Sequence, residues 1–134
     1  MLNIGDSLSA IVRATKYQNV LPAVISYYSS SMPYKVVVEY DQGNAVSSND
    51  NKSKEFGIIM AKAADYTSLQ VEHTDIWNSD YISFEKRGFV CIGAYNAEDN
   101  PFYHKSTDTI DKINIDYLAE VVKMVLATIL KIAG

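Results

Sequence analysis

Apolar residues change their spacing along this chain in a set order, and that order limits the fold more than any single motif does. YKVVVEY, Tyr34 to Tyr40, is a β-branched run that follows Pro33 and ends at DQGN, which has turn composition. The polar stretch SSNDNKS comes next and reads as a loop. From Ser53 the spacing turns helical, with Phe56, Ile59, Met60 and Ala63 on one stripe. SLQVEHT then alternates, placing Leu69, Val71 and His73 on one face and Gln70, Glu72 and Thr74 on the other. FVCIGAY, Phe89 to Tyr95, is apolar on both faces, as an interior strand would be. The last helix starts at the cap-like Asn114 and is expected to bury Leu118, Val121, Val122, Val125, Ile129 and Ile132. Asp116 in its first turn and Lys131 in its last both suit the helix dipole.

Strand, helix, strand, short helix, strand, long loop and helix is the alternation of an α/β layered domain. The expected sheet is parallel or mixed and contains Tyr34–Tyr40, Leu69–Thr74 and Phe89–Tyr95, with the helices from Ser53 and Asn114 packed on it. The first 32 residues stay open: DSLSAIVRATKYQNV reads as a capped helix or a strand, and AVISYY reads either way.

Composition excludes several partners. The chain has 134 residues, enough for one domain with a real core. A net charge of -4, with 12 scattered lysines and arginines, argues against nucleic acid and against anionic membranes. The single cysteine, Cys91, rules out an internal disulfide or a cysteine zinc cage and reads as a small buried hydrophobe. Residues 1–12 lack a basic region leading into an apolar core, and Glu120, Lys123 and Lys131 interrupt the last apolar run. A cytoplasmic chain is expected.

Two loops are rich in ionisable groups: DIWNSDYISF after His73 and NAEDNPFYHKSTDT after Tyr95. Ligands of open α/β sheets bind beyond the carboxyl ends of the strands. If those strands are parallel neighbours, Asp75, Asp80, Tyr103 and His104 converge on one rim. His104 is one of only 2 histidines. Tyr103 beside it is suited to donate to an oxyanion, and nearby carboxylates are suited to fix the imidazole tautomer. Asp108, Thr109 and Asp111 read equally well as turn and capping residues before the helix. His73 reads as a structural histidine at a strand end. Composition leaves the choice between ligand and decoration open.

The order of motifs goes further. From about Ala64 onward, the chain carries SDYISF at Ser79 to Phe84, GFVCIGAY at Gly88 to Tyr95, NPFYHKSTDTIDKI at Asn100 to Ile113, and then the amphipathic helix. This resembles the closing segment of the co-catalytic (two-zinc) metallo-aminopeptidase family: Ser-Asp-His-x-x-Phe, a Gly-initiated strand, Tyr-His-x-x-x-Asp-Thr and a terminal helix. The resemblance implies a three-layer α/β/α sandwich in partial form, with residues 33–134 matching its C-terminal part and the whole of 1–134 forming a single domain. It implies that His104 is the last metal ligand and that Tyr103 stabilises the oxyanion. It also places Asp80, Tyr81 and Phe84 at the substrate end, although Tyr81 stands where the family has histidine.

The upstream His-x-Asp and Glu-Glu motifs of the family are absent, and MLNIGDS has Asn3 and Ile4 where Asp-Met is expected. A catalytic zinc needs about three protein ligands. The expectation is therefore the C-terminal portion of a zinc aminopeptidase, inactive as this chain alone and binding no zinc tightly. Were zinc held after all, Glu72, His73, Asp75 and Asp80 are the donors to examine. The alternative is a non-catalytic α/β binding or assembly domain that keeps the scaffold. A peptide is the substrate implied for the complete enzyme. An uncovered sheet edge and 10 tyrosines lead us to expect a homo-oligomer joined through the N-terminal third, or association with a missing N-terminal half.

Overall fold

The computed structural model describes residues 32–42, 50–76 and 81–134. The elements follow in the order β1 (Lys35–Tyr40), α1 (Asp50–Ala63), β2 (Gln70–Asp75), the single turn α2 (Ile82–Glu85), β3 (Ile92–Asn96) and α3 (Ile115–Ala133). Short 3-10 turns at Ala64–Tyr66 and Ile110–Lys112 lead into β2 and α3. The architecture is α/β with a mixed sheet, as expected. No helix among the described residues is long and apolar enough to cross a membrane.

The β-branched run forms the centre of the sheet. The strand order is β2-β1-β3, with β1 parallel to β2 and antiparallel to β3. Every residue of β1 except Lys35 is buried, which is what a strand with neighbours on both sides and cover on both faces requires. Val36, Val38 and Tyr40 face Met60 and Ala63 of α1 and Tyr117, Val121 and Met124 of α3, with Tyr34, Ala64 and Leu69 completing the cluster. Both long helices therefore lie on one face. The described residues build the sheet and this one helical layer. On the other face, Val37 and Glu39 are buried, and the Tyr81 ring lies over Gly93, opposite Glu39.

Close approach fixes one residue of α1. The Tyr40 ring presses on the helix at Gly57, where a Cβ would sit 2.1 Å from its Cδ1. Ser53, one turn earlier, is buried and joins three elements. Its hydroxyl accepts from the Asp41 amide at 2.8 Å and donates to the Cys91 carbonyl at 3.0 Å. At the other end, Asn114 caps α3, its side chain accepting from the Tyr117 amide at 3.1 Å.

Two expectations are corrected. Among the described residues FVCIGAY is not an interior strand: β3 is an edge, antiparallel to β1 and begun only at Ile92. The apolar residues before it are used elsewhere. Phe89 meets the Phe84 ring edge-to-face at 6.4 Å, and the Cys91 amide donates to the buried Glu85 carboxylate.

The second correction concerns α3, which buries Tyr117, Val121, Met124 and Thr128, while Val122, Ile129 and Ile132 are exposed. Tyr117 sets that rotation. Its hydroxyl donates to the Lys35 carbonyl, and its ring stacks on Tyr34 at 5.2 Å, so the face next to the expected one turns inward.

Candidate functional site

The segment that carries His104 leaves β3 at Asn96 and closes into a chain of tight turns. Asn96 is buried, and its Oδ1 accepts from the Glu98 amide at 3.1 Å. The Asn100 side chain accepts from the Phe102 amide at 2.9 Å, and its carbonyl accepts from the Tyr103 amide at 3.1 Å. That is an Asx-type turn, the conformation a short amide side chain offers its own backbone. The amide of Lys105 donates to the Phe102 carbonyl at 3.0 Å, and its ammonium donates to the Pro101 carbonyl at 2.6 Å. A further turn links the Asp108 amide to the Lys105 carbonyl at 3.0 Å.

His104 sits at the tip of these turns with φ of 57°, in the left-handed region. A side chain other than glycine is uncommon there, and such positions gather at functional sites. The rings of Tyr103 and His104 stack, 3.9 Å between centroids and 18° between planes, and both residues are exposed. No carboxylate fixes the imidazole: its ring has no hydrogen-bond partner among the described residues, and stacking alone orients it.

The two acids that follow differ in their partners. Asp111 pairs with Lys112 at 2.7 Å and accepts from Thr109 Oγ1 at 2.5 Å, which together, Lys112 foremost, hold its carboxyl down at about 2. Asp108 keeps one carboxylate oxygen buried without a partner among the described residues.

The remaining candidates that the structure describes make their contacts elsewhere. Asp75 Oδ1 accepts from the Gln42 amide at 2.9 Å and the Ile76 amide at 3.0 Å, finishing β2 as a cap. The Tyr81 hydroxyl is buried and has no partner among the described residues, and Phe84 is exposed beside Phe89. Asp80 lies outside the described residues. His73 is structural in its contacts, its Nδ1 sharing a hydrogen bond with the Tyr40 hydroxyl at 3.3 Å and its ring edge-on to Tyr40. Cys91 is half-buried, and burial followed by the Glu85 charge pushes its thiol up to about 11. Such a thiol is a poor nucleophile at neutral pH.

β1 and β3 are not the parallel neighbours that the expected rim requires. Because β3 is antiparallel, Ile92 pairs with Tyr40 and Asn96 with Val36. The segment that enters β3 therefore lies where β1 and β2 finish, and the Tyr103–His104 loop departs from where they begin. Three carboxylates, Glu39, Asp41 and Glu85, are buried without having been expected from the sequence. Glu39 carried a signal, a lone charge inside a β-branched run.

The donors do not fit a zinc site. Among the described residues no three of His, Cys, Asp and Glu come together to hold a metal ion. His104 offers one nitrogen, where a zinc centre needs about three protein ligands.

Comparison with known proteins bears on what this arrangement belongs to. No match was found among curated proteins. Among solved structures, LapB from Legionella pneumophila superposes with a TM-score of 0.60 at 20% identity, over 81% of this chain and 29% of LapB. At that identity the likeness shows the fold alone, and this chain spans less than a third of LapB's length. The sequence model of peptidase family M28 matches residues 29–129, a span that holds β1, the whole sheet, the Tyr103–His104 turn and most of α3. The chain belongs to peptidase family M28.

Proposed function

We propose that this chain is the C-terminal portion of a zinc-dependent aminopeptidase, to which it contributes His104 as the last metal ligand and Tyr103 as a donor to the oxyanion. The observation that carries this reading is the placement of His104. It is held in a left-handed turn with its ring outward and free of hydrogen bonds among the described residues, inside the span that matches the family. Such a nitrogen is available to a ligand that other residues complete. By the family resemblance Asp80, Tyr81 and Phe84 belong to the peptide-binding side; exposed Phe84 and Phe89 make an apolar ledge in the segment that enters β3, at the other end of the sheet from where the His104 loop departs.

The chain by itself hydrolyses no peptide bond. One imidazole does not hold a catalytic zinc, and the remaining donors come from residues upstream of this segment in a complete enzyme. The test is hydrolysis of amino-acid nitroanilides by the chain with added zinc, with and without chelator. No chelator-sensitive turnover is expected. Turnover that disappears both with chelator and in His104→Ala would show that this chain carries a full ligand set. The rival reading, a scaffold kept for binding or assembly, requires that supplying the upstream segment restores no activity either.

A further inference from the structure

Two tight turns in succession set His104. Asn100 to Tyr103 is the first: the Tyr103 amide donates to the Asn100 carbonyl at 3.1 Å, and Pro101 takes the second position, where its fixed φ suits a turn. Phe102 to Lys105 is the second, closed by the Lys105 amide on the Phe102 carbonyl at 3.0 Å. Tyr103 and His104 are its central residues, and of the two only His104 has a positive φ, 57°. A turn of that pattern ordinarily takes glycine or asparagine at its third position. A histidine there has to be held, because its Cβ disfavours the left-handed backbone. Three contacts from outside the turn bear on it. Asn100 Oδ1 accepts from the Phe102 amide at 2.9 Å, so this one residue takes the amides of both Phe102 and Tyr103. The Lys105 ammonium donates to the Pro101 carbonyl at 2.6 Å, and the Lys112 ammonium lies 5.3 Å from the centroid of the Phe102 ring. Lys105 is exposed, so water competes for its bond, whereas Asn100 is half-buried.

We propose that Asn100 is the positioning residue of His104: its side-chain carbonyl fixes the first residue of the turn, and through it the left-handed backbone and the outward ring of the histidine. The Asn100 amide is used on one side only. Oδ1 meets an N–H, while Nδ2 is buried with no partner among the described residues. The acceptor is therefore what this side chain supplies to the turn. The inference rests on the reading of His104 as a metal ligand. Metal-binding histidines are commonly oriented by a hydrogen bond to their second ring nitrogen. The His104 ring has no such partner among the described residues, so its orientation comes through the backbone and the stack on Tyr103. An imidazole already aimed gives up less freedom when it binds.

Proton NMR of the full chain, without metal, reads the histidine directly. The stack at 3.9 Å puts the His104 ring protons in the Tyr103 ring current, so they should lie upfield of their free-histidine positions. A strong nuclear Overhauser effect between the His104 amide and α protons should report the positive φ. Asn100→Ala should lose both signatures, with the melting midpoint and the His73 ring signals unchanged. Asn100→Asp presents the same acceptor and should restore both. Should Asn100→Ala fail to fold, Asn100→Gln takes its place, since its acceptor is carried one bond farther from the Phe102 amide. An Asn100→Ala chain that keeps the upfield shift overturns the inference, because the turn then holds itself. A loss in Asn100→Asp as complete as in Asn100→Ala also overturns it, because the acceptor is then not what holds the ring. Failure of the ligand reading is seen separately, since it leaves these metal-free signatures in place.

Discussion

β1 and the run leading into β3 are nearly equal in apolar content and opposite in fate. VVVEY of β1 is buried on both faces. FVCIGAY ends, among the described residues, as an edge strand with Phe89 and Tyr95 exposed. The difference lies in pairing. β1 has a strand on each side and two helices over one face, whereas β3 has only β1 among the described residues. Apolar composition identifies a strand, but its place in the sheet depends on contacts far away in sequence.

Substitutions can break or sharpen this contrast. Val38→Asp should have the largest effect, because an unpaired charge at a fully buried position costs several kcal/mol, about the stability of a small domain. Loss of the cooperative thermal transition is expected. Gly57→Ala comes next. The gain in helix propensity is about 1 kcal/mol, but the new methyl meets the Tyr40 ring that anchors the end of β1, and overpacking costs about 1–3 kcal/mol. A net loss in chemical denaturation is expected, and a gain would mean that the Tyr40 ring moves freely. Asn114→Ala removes the cap of the helix that covers β1 and should cost about 1 kcal/mol. Tyr95→Ser on β3 should stay within about 0.5 kcal/mol of the parent. A cost there as large as that of Gly57→Ala would show that β3 is covered like β1.

What the sequence showed was local. The β-branched run, the helical stripe from Ser53 and the Asn114 cap all follow from spacing within a few residues; all three form, although the helix begins earlier, at Asp50, inside the stretch read as a loop. The orientation of β3 was not legible, because antiparallel pairing with β1 is a contact across more than 50 residues. Nor was the rotation of α3. The helix is apolar round more than half of its circumference, so periodicity defines two rows and only the Tyr117 anchor decides which one faces the sheet. In the candidate site, the order of motifs pointed to Tyr103 and His104. Their stacking and the left-handed turn depend on backbone hydrogen bonds from Asn100 to Asp108 that no side-chain pattern announces.

The central claim is that His104 is a ligand without its companions. Calorimetric titration of zinc into the full chain and into His104→Ala tests it most directly. The account predicts the same weak, non-saturating response from both. A stoichiometric, tight isotherm in the parent that is lost in His104→Ala would contradict it, and would mean that this chain supplies a complete metal site of its own.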